Sequence, residues 1–286
     1  MALPALASYP PPAVSQPLDT AALPLPAADF ERVRRLIHQR AGIHLQSGKE
    51  AMVHSRLSRL LREHGLPSFA AYLDELERSG TEPMWQQFVN ALTTNLTSFF
   101  REEHHFTALA ELLRHKAQGV RVWCNAASTG EEPYSLAMVL AESLPANAPF
   151  SLLCTDIDTQ VLATARRGVY PADARGLSPE RLKRHFLRGT GANAGQIRIK
   201  PDLAKRLSFE PFNLIGNQWG RFTEPFDIVF CRNVMIYFDA TTQKRVLAAI
   251  HQTLKPGGLL FAGHSENFSD EKQLFKSRGK TMYERL

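Results

Sequence analysis

From Ala27 onward the apolar residues fall at helical spacing. Phe30, Val33 and Ile37 share one face, and three further helical stretches follow at 47–64, 68–79 and 83–100. Gly65-Leu66-Pro67 and the run from Gly80 to Pro83 divide them. In the second stretch Met52, Val53, Leu57, Leu60 and Leu61 form the inner face. Arg56, Arg59 and Arg62 fall within about 120° on the other side, at about 100° per residue. The pattern predicts a small all-α domain carrying one arginine-rich helix.

From Val120 the period changes. The apolar runs RVWCNA, SLLCTDID, FDIVFCRN and LLFAGHS alternate with helical patterns after Glu132, at TQVLATARRG and at TTQKRVLAAIHQTL, the last stopped by KPGG. Strands alternating with helices predict a parallel sheet covered on both faces, an α/β fold. Residues 170–207 break the alternation with a short helix (SPERLKRHFL), a glycine-rich turn at Gly189, Gly191 and Gly195, and alternating IRIK. That piece reads as a small inserted subdomain of antiparallel strands.

Before Ala27 the pattern disappears. Residues 1–26 hold seven prolines and one charge, Asp19, without a basic start or an apolar core, so they read as a disordered leader and not a signal peptide. The expected organisation is a leader at 1–26, a helical domain at 27–93 and an α/β domain at 94–286, with the insertion at about 170–207.

Composition adds three constraints. A chain of 286 residues that is 44% hydrophobic can bury one large core or two modest ones. No apolar run reaches about 18 residues, so no transmembrane helix is expected. Cys124, Cys154 and Cys231 each lie in a strand-like segment and read as buried, reduced thiols of a cytoplasmic protein. No Cys/His spacing fits zinc, and His104 and His105, adjacent on a helix, should face different ways; no metal is expected. The formal charge of +6 is uneven: Arg32–Arg62 and Arg181–Arg206 each hold eight Lys or Arg against one acid. Two basic surfaces suggest an acidic partner, protein or nucleic acid, unless they are simply solvated helix faces.

Three strand ends carry candidate chemistry: Gly130-Glu131-Glu132, Asp156-Ile157-Asp158 and Arg232-Asn233. Ligands of open α/β sheets bind beyond the carboxyl ends of the strands. The G-x-G-x-x-G loop that cradles a pyrophosphate is missing, and carboxylates stand in its place. An acid after the second strand suits ribose hydroxyls. A ligand with a ribose, positive charge and no phosphate fits, and S-adenosylmethionine is one. Complementing the helix dipole would explain one glutamate at a helix start but not the other two strand ends.

The stretches LTTNLTSFFREEHHF (92–106), NAASTGEEPYS (125–135), TDIDTQVL (155–162), FDIVFCRNVMIYFD (226–239) and LKPGGLLFAGHSENFS (254–269) closely resemble the bacterial chemotaxis receptor methyltransferases, the CheR family. The resemblance spans residues 27–286. It implies a Rossmann-like class I S-adenosylmethionine-dependent methyltransferase domain with a small antiparallel β insertion, preceded by an all-α N-terminal domain. It implies methyl transfer from S-adenosylmethionine, leaving S-adenosylhomocysteine, to glutamate side chains of chemoreceptors. Carried over by motif, the cofactor contacts would be Asn95, Thr97, Arg101, Glu132, Asp156, Asn213, Leu214, Arg232 and Asn233. Arg101 and Tyr237 would lie near the transferred methyl. Helix caps at Asn95 and Thr97, a surface ion pair at Arg101 and core packing at Tyr237 are the structural alternatives.

Of the two glutamates, Glu132 is the one expected to meet the cationic part of the methyl donor, and Glu131 the one complementing the dipole. His264-Ser265-Glu266 are consecutive, diverge at a strand end and are discounted as a catalytic set. The Arg56, Arg59 and Arg62 face would dock on acidic receptor helices. Gly189, Gly191 and Gly195 match the turn by which some family members hold a C-terminal receptor peptide as an added strand. Direct membrane insertion is not expected, and the chain reads as a monomer. The rivals are a nucleic-acid methyltransferase and a non-catalytic S-adenosylmethionine-binding regulator. No N-P-P-Y-like motif, Pro-Cys nucleophile or aromatic-rich basic strand supports the first.

Overall fold

The computed structural model describes residues 23–114, 116, 119–145 and 148–286, so most of the proline-rich leader expected at 1–26 lies outside the described residues. Four helices come first: α1 (Ala27–Ala41), α2 (Glu50–His64), α3 (Phe69–Ser79) and α4 (Glu82–Leu92). Their starts and stops follow local chemistry. Gly42 and Gly65 end α1 and α2 in the left-handed conformation. The Ser68 and Thr81 hydroxyls accept the free amides of Ala71 and Met84. The inner faces bury Val33, Ile37, Leu57, Leu61, Tyr72 and Phe88 in one apolar cluster. Met52 packs against that cluster as expected, but is only half-buried and borders a cavity.

The fourth helix is shorter than its pattern. It stops at Leu92, not at residue 100, and Thr93 is already extended. The cause lies far along the chain. Asp158 Oδ2 accepts the Thr93 hydroxyl at 2.7 Å and the Asn95 amide at 2.8 Å. These bonds draw residues 93–95 out as a strap between the helices and the sheet.

After α5 (Glu103–Leu113) come β1 (Val120–Cys124), α6 (Glu131–Ser143), β2 (Phe150–Asp156) and α7 (Thr159–Arg167). The insertion follows as β3 (Val169–Pro171), α8 (Pro179–His185), β4 (Phe186–Arg188) and β5 (Gln196–Ile199), an antiparallel sheet of order β3-β5-β4. The chain returns through α9 (Pro201–Ala204) to β6 (Leu207–Pro211), β7 (Phe226–Cys231), α10 (Ala240–Thr253), β8 (Leu254–Ala262), β9 (Phe275–Gly279) and β10 (Met282–Arg285).

The main sheet has the order β6-β2-β1-β7-β8-β10-β9. The first five strands are parallel, and β10 is antiparallel to both neighbours. This is an α/β, Rossmann-like sheet with a small antiparallel insertion, preceded by an all-α part. Every residue of β7 is buried, as expected of a central strand covered on both faces. Cys124, Cys154 and Cys231 are buried free thiols. Two features depart from the sequence reading. The strand expected at LLFAGHS begins at Leu254 and takes in Lys-Pro-Gly-Gly, accommodated by a register shift opposite Phe226–Ile228. The β9–β10 hairpin has no strong alternation; it is anchored by buried Phe275 and Tyr283.

Successive strands leave β1 in opposite directions, to β2 and β6 on one side and to β7 and β8 on the other. The switch point between β1 and β7 therefore opens a crevice at their carboxyl ends. Residues of the four-helix part, of the strap and Arg101 border it.

Candidate active site

A cavity of about 540 Å³ occupies that crevice. Its floor is made by the loops after β1, β2 and β7. After β1, Asn125, Ala126 and Ser128 reach the wall. Ser128 is in the left-handed region at φ 47°, and Gly130 at φ 102°. A Cβ on Gly130 would meet the Tyr170 hydroxyl at 2.5 Å, so only glycine closes this turn into α6.

After β2, Asp156 is buried, and its two oxygens accept the backbone N–H groups of Ser128 at 2.8 Å and Asp158 at 2.9 Å. Burial pushes its carboxyl up to about 6, against those two amides. The group is ionised at pH 7 and keeps lone pairs for a ligand's hydroxyls.

After β7, Arg232 and Asn233 border the cavity. Asn233 sits at φ 58°. Glu266 explains how the loop holds that shape. Its carboxylate accepts four backbone N–H groups: Gly263 at 2.6 Å, Asn233 and Val234 each at 2.9 Å, and Met235 at 2.7 Å. The sequence reading discounted His264-Ser265-Glu266 as a catalytic set and gave Glu266 no other part. Its work is to fix the loop that presents Asn233 and Tyr237.

Arg232 departs most from expectation. Its side chain is wholly buried and ion-paired to Glu132 and to Glu102, the latter at 3.2 Å. It also donates to the main-chain oxygen of Arg101 at 2.6 Å. Arg232 borders the cavity while its guanidinium braces Glu132, Glu102 and the Arg101 carbonyl. Glu132 is correspondingly no bare carboxylate. Burial pushes it up, the Arg232 guanidinium pulls it down, and the Cys124 thiol lies 3.4 Å from Oε1. Glu132, expected to meet the cationic part of the donor, borders the cavity with its carboxylate paired to Arg232.

Glu102 completes the brace. It stands at φ 60° and binds the His264 backbone N–H at 3.1 Å besides Arg232. Its carboxyl is held down at about 2, with the His264 contacts and the Arg232 charge outweighing burial. His104 and His105, expected to diverge, have ring centroids 4.1 Å apart, and their ligand atoms cluster with Glu102 within 4.8 Å. Glu102 turns its carboxylate back toward the helix start, which creates the cluster. Arg232 pairs with Glu102 at 3.2 Å and His105 Nε2 lies 2.8 Å from the Lys280 carbonyl, while the buried His105 Nδ1 has no hydrogen-bond partner among the described residues.

The remaining candidates converge on the same cavity: Asn95, Thr97, Arg101, Asn213, Leu214 and Tyr237 all border it. Their side chains divide by commitment. The Asn95 amide is given to Asp158. The Asn213 amide is given to the Arg40 carbonyl at 2.8 Å, tying the helical part to the sheet. Arg101 Nη1 donates to the Leu96 carbonyl at 3.1 Å, which fixes the guanidinium at the wall with donors to spare.

Of the arginine-rich face, only Arg56 borders the cavity; it donates to the carbonyls of Leu92 at 3.1 Å and Thr93 at 2.7 Å, the open end of α4. Arg59 is exposed and pairs with Glu63 at 2.7 Å; Arg62 is exposed. Much of the first basic segment is balanced by acids from other helices, such as Arg32 with Asp74 and Glu77, Arg35 with Glu77, and Arg40 with Glu82.

Asn125 provides a test of fit for a polar cofactor. It is buried at the cavity wall, and neither its amide nitrogen nor its oxygen has a hydrogen-bond partner. An orphaned amide at a site that also offers a ribose-suited carboxylate and no phosphate loop fits S-adenosylmethionine.

The comparisons with known proteins agree. Residues 28–93 match the family described as CheR methyltransferase, all-alpha domain, and residues 95–283 match CheR methyltransferase, SAM binding domain. The chain is 51% identical over 263 residues to a chemotaxis protein methyltransferase of Klebsiella aerogenes, covering 91% of this chain and 90% of that one. It is 50% identical over 266 residues to that of Escherichia coli K12, covering 92% and 93%. Chemotaxis protein methyltransferase 2 of Pseudomonas aeruginosa is 50% identical over 261 residues, covering 89% and 92%. Fold, cavity and sequence thus lead to one conclusion: the chain belongs to the CheR family of S-adenosylmethionine-dependent methyltransferases.

Proposed function

We propose that this enzyme transfers a methyl group from S-adenosylmethionine to glutamate side chains of chemoreceptors, forming methyl esters for sensory adaptation. The observation that carries the reading is the cavity itself, where Arg101 and Tyr237 stand beside the strand-end acids, bordered by the positively charged α2. The bound cofactor supplies an electrophilic methyl on a sulfonium. The protein's tasks are binding, alignment and exclusion of water.

A glutamate with a pKa of about 4.3 is already an anion at pH 7, so no general base is needed. Arg101, pinned by Leu96, orients the acceptor carboxylate, and Tyr237 closes the other side. Asp156 takes the ribose hydroxyls. Asn95, Thr97, Glu132, Asn213, Leu214 and Asn233, with the main chain of Arg232, enclose the rest of the donor. Alignment of oxygen, methyl and sulfur is a proximity effect. Because opposite charges cancel along the reaction, a water-poor site favours it.

The domain division at 27–93 and 94–286, with the insertion at about 170–207, belongs to the same proposal. Arg56, Arg59 and Arg62 dock the acidic receptor helix. Arg56 donates to the carbonyls of Leu92 and Thr93 and to the Thr94 hydroxyl, all uncharged groups, which leaves its net charge for the partner. A receptor C-terminal peptide would add to the inserted sheet at its edge strand β4, where Leu187 is exposed; the glycine turn follows, with Gly191 and Gly195 at positive φ. The enzyme acts as a monomer in the cytoplasm. No described helix is long and apolar enough to cross a membrane. Incubation with labelled S-adenosylmethionine and either a receptor cytoplasmic fragment or RNA tests the reading. Label should enter the receptor fragment; label entering RNA alone contradicts it.

A further inference from the structure

Residues 93–98 read Thr-Thr-Asn-Leu-Thr-Ser, a polar strap with one aliphatic side chain. That side chain, Leu96, is 83% exposed, although its own carbonyl holds Arg101. Ile236 repeats the pattern on another element. It lies in the one-turn 3-10 helix Met235–Tyr237, where Met235 is fully buried and Ile236 is 47% exposed. Both residues border the active-site cavity. Among the described residues five large hydrophobic side chains are exposed, and two of them stand at this one opening. A solvated loop would carry polar residues at such positions. Each aliphatic neighbours in sequence or by hydrogen bond a residue assigned to the reaction centre, Arg101 or Tyr237.

We propose that Leu96 and Ile236 form an apolar lip that seats the apolar side chains flanking the acceptor glutamate and expels water from the reaction centre as the substrate docks. The inference rests on the glutamate-methylation reading above and names a property of its substrate. The occupant is one face of an amphipathic acidic helix of the receptor. Its acids meet the charge of Arg56, which borders the same cavity, and its small or aliphatic residues cover the lip. Covering the lip removes apolar surface from water, which favours docking. It also completes the dry environment that a charge-cancelling transfer requires. The lip therefore selects glutamates with apolar neighbours one helical turn away over glutamates in wholly polar surroundings.

The test uses the full chain, a receptor cytoplasmic fragment and labelled S-adenosylmethionine. Leu96→Ser and Ile236→Ser should each lower kcat/KM for the receptor fragment by about tenfold, the loss expected for one aliphatic contact. Leu96→Met should stay within about twofold, since Met keeps the apolar volume. The Kd for S-adenosylmethionine, measured by calorimetry without receptor, should hold within about twofold in all three. Receptor kcat/KM unchanged in both serine variants, with an active wild-type enzyme, overturns the lip alone. A parallel loss of cofactor affinity also overturns it, because the residues would then belong to the cofactor site. A wild-type enzyme that fails to esterify the receptor fragment removes the underlying reading and the lip with it.

Discussion

Replacing Arg232 with alanine should damage stability first and catalysis as a consequence. The side chain is wholly buried between Glu132 and Glu102, and it bonds the Arg101 carbonyl. Removing it leaves the buried Glu132 and the half-buried Glu102 without their arginine and one carbonyl without its donor. Breaking a buried pair from one side costs about 3–5 kcal/mol. At about 2–4 °C per kcal/mol for a protein of this size, the melting temperature should fall by roughly 10 °C.

The pH dependence has a definite sign. Burial already pushes Glu132 up. Without Arg232 it rises further above its unfolded value, so the folded variant binds a proton that the unfolded chain releases. The variant should therefore regain stability as pH falls from 7 toward about 4.5, relative to wild type at the same pH. Arg232→Met combined with Glu132→Gln and Glu102→Gln should recover much of the loss at pH 7, since neutral groups need no counter-charge. Urea unfolding of the cofactor-free proteins at pH 5 and 7 measures all of this. An Arg232→Ala variant within about 1 kcal/mol of wild type at pH 7 would refute the brace, and Arg232 would have to be reassigned as a ligand contact.

Three further outcomes follow from the site. Asp156, with its carboxyl near 6, is ionised above that pH and protonated below it; the Kd for S-adenosylmethionine should therefore weaken as pH falls below about 6, by up to tenfold per unit, and calorimetry on Asp156→Asn should show that slope flattened. Glu266→Ala strands four backbone N–H groups around Asn233 and should cost at least about 3 kcal/mol in unfolding, with Glu266→Gln intermediate because one amide oxygen replaces two carboxylate oxygens. Arg101→Ala, which removes a side chain bonded among the described residues only to the Leu96 carbonyl, should unfold within about 1 kcal/mol of wild type yet lose at least about 100-fold in methyl transfer; full activity would move the active site elsewhere.

The sequence made the cavity floor legible because each part of it is local. Asp156 follows β2, Arg232-Asn233 follow β7, and the missing glycine loop follows β1. A strand pattern and the next few residues suffice to place each one. The helical part was legible from its spacing, as Val33, Ile37, Leu57 and Leu61 illustrate. What escaped was fixed by residues distant in sequence. Helix α4 ends early because Asp158, more than 60 positions away, captures Thr93 and Asn95. Arg232 is a brace because Glu132, 100 positions before it in sequence, packs beside it. Glu266 and Glu102 carried no local signal, since their partners are backbone amides and side chains of other loops. The arginines of α2 share a helical face, yet only Arg56 borders the cavity, because the strap that turns it inward is not part of the helix.

The most direct test of the account concerns the bond the enzyme makes. Labelled S-adenosylmethionine, this protein and a receptor cytoplasmic fragment should yield a labelled receptor whose label is released as methanol by mild alkali, with mass spectrometry placing each methyl on a glutamate. A label stable to alkali, or a methyl carried on nitrogen, would contradict the account.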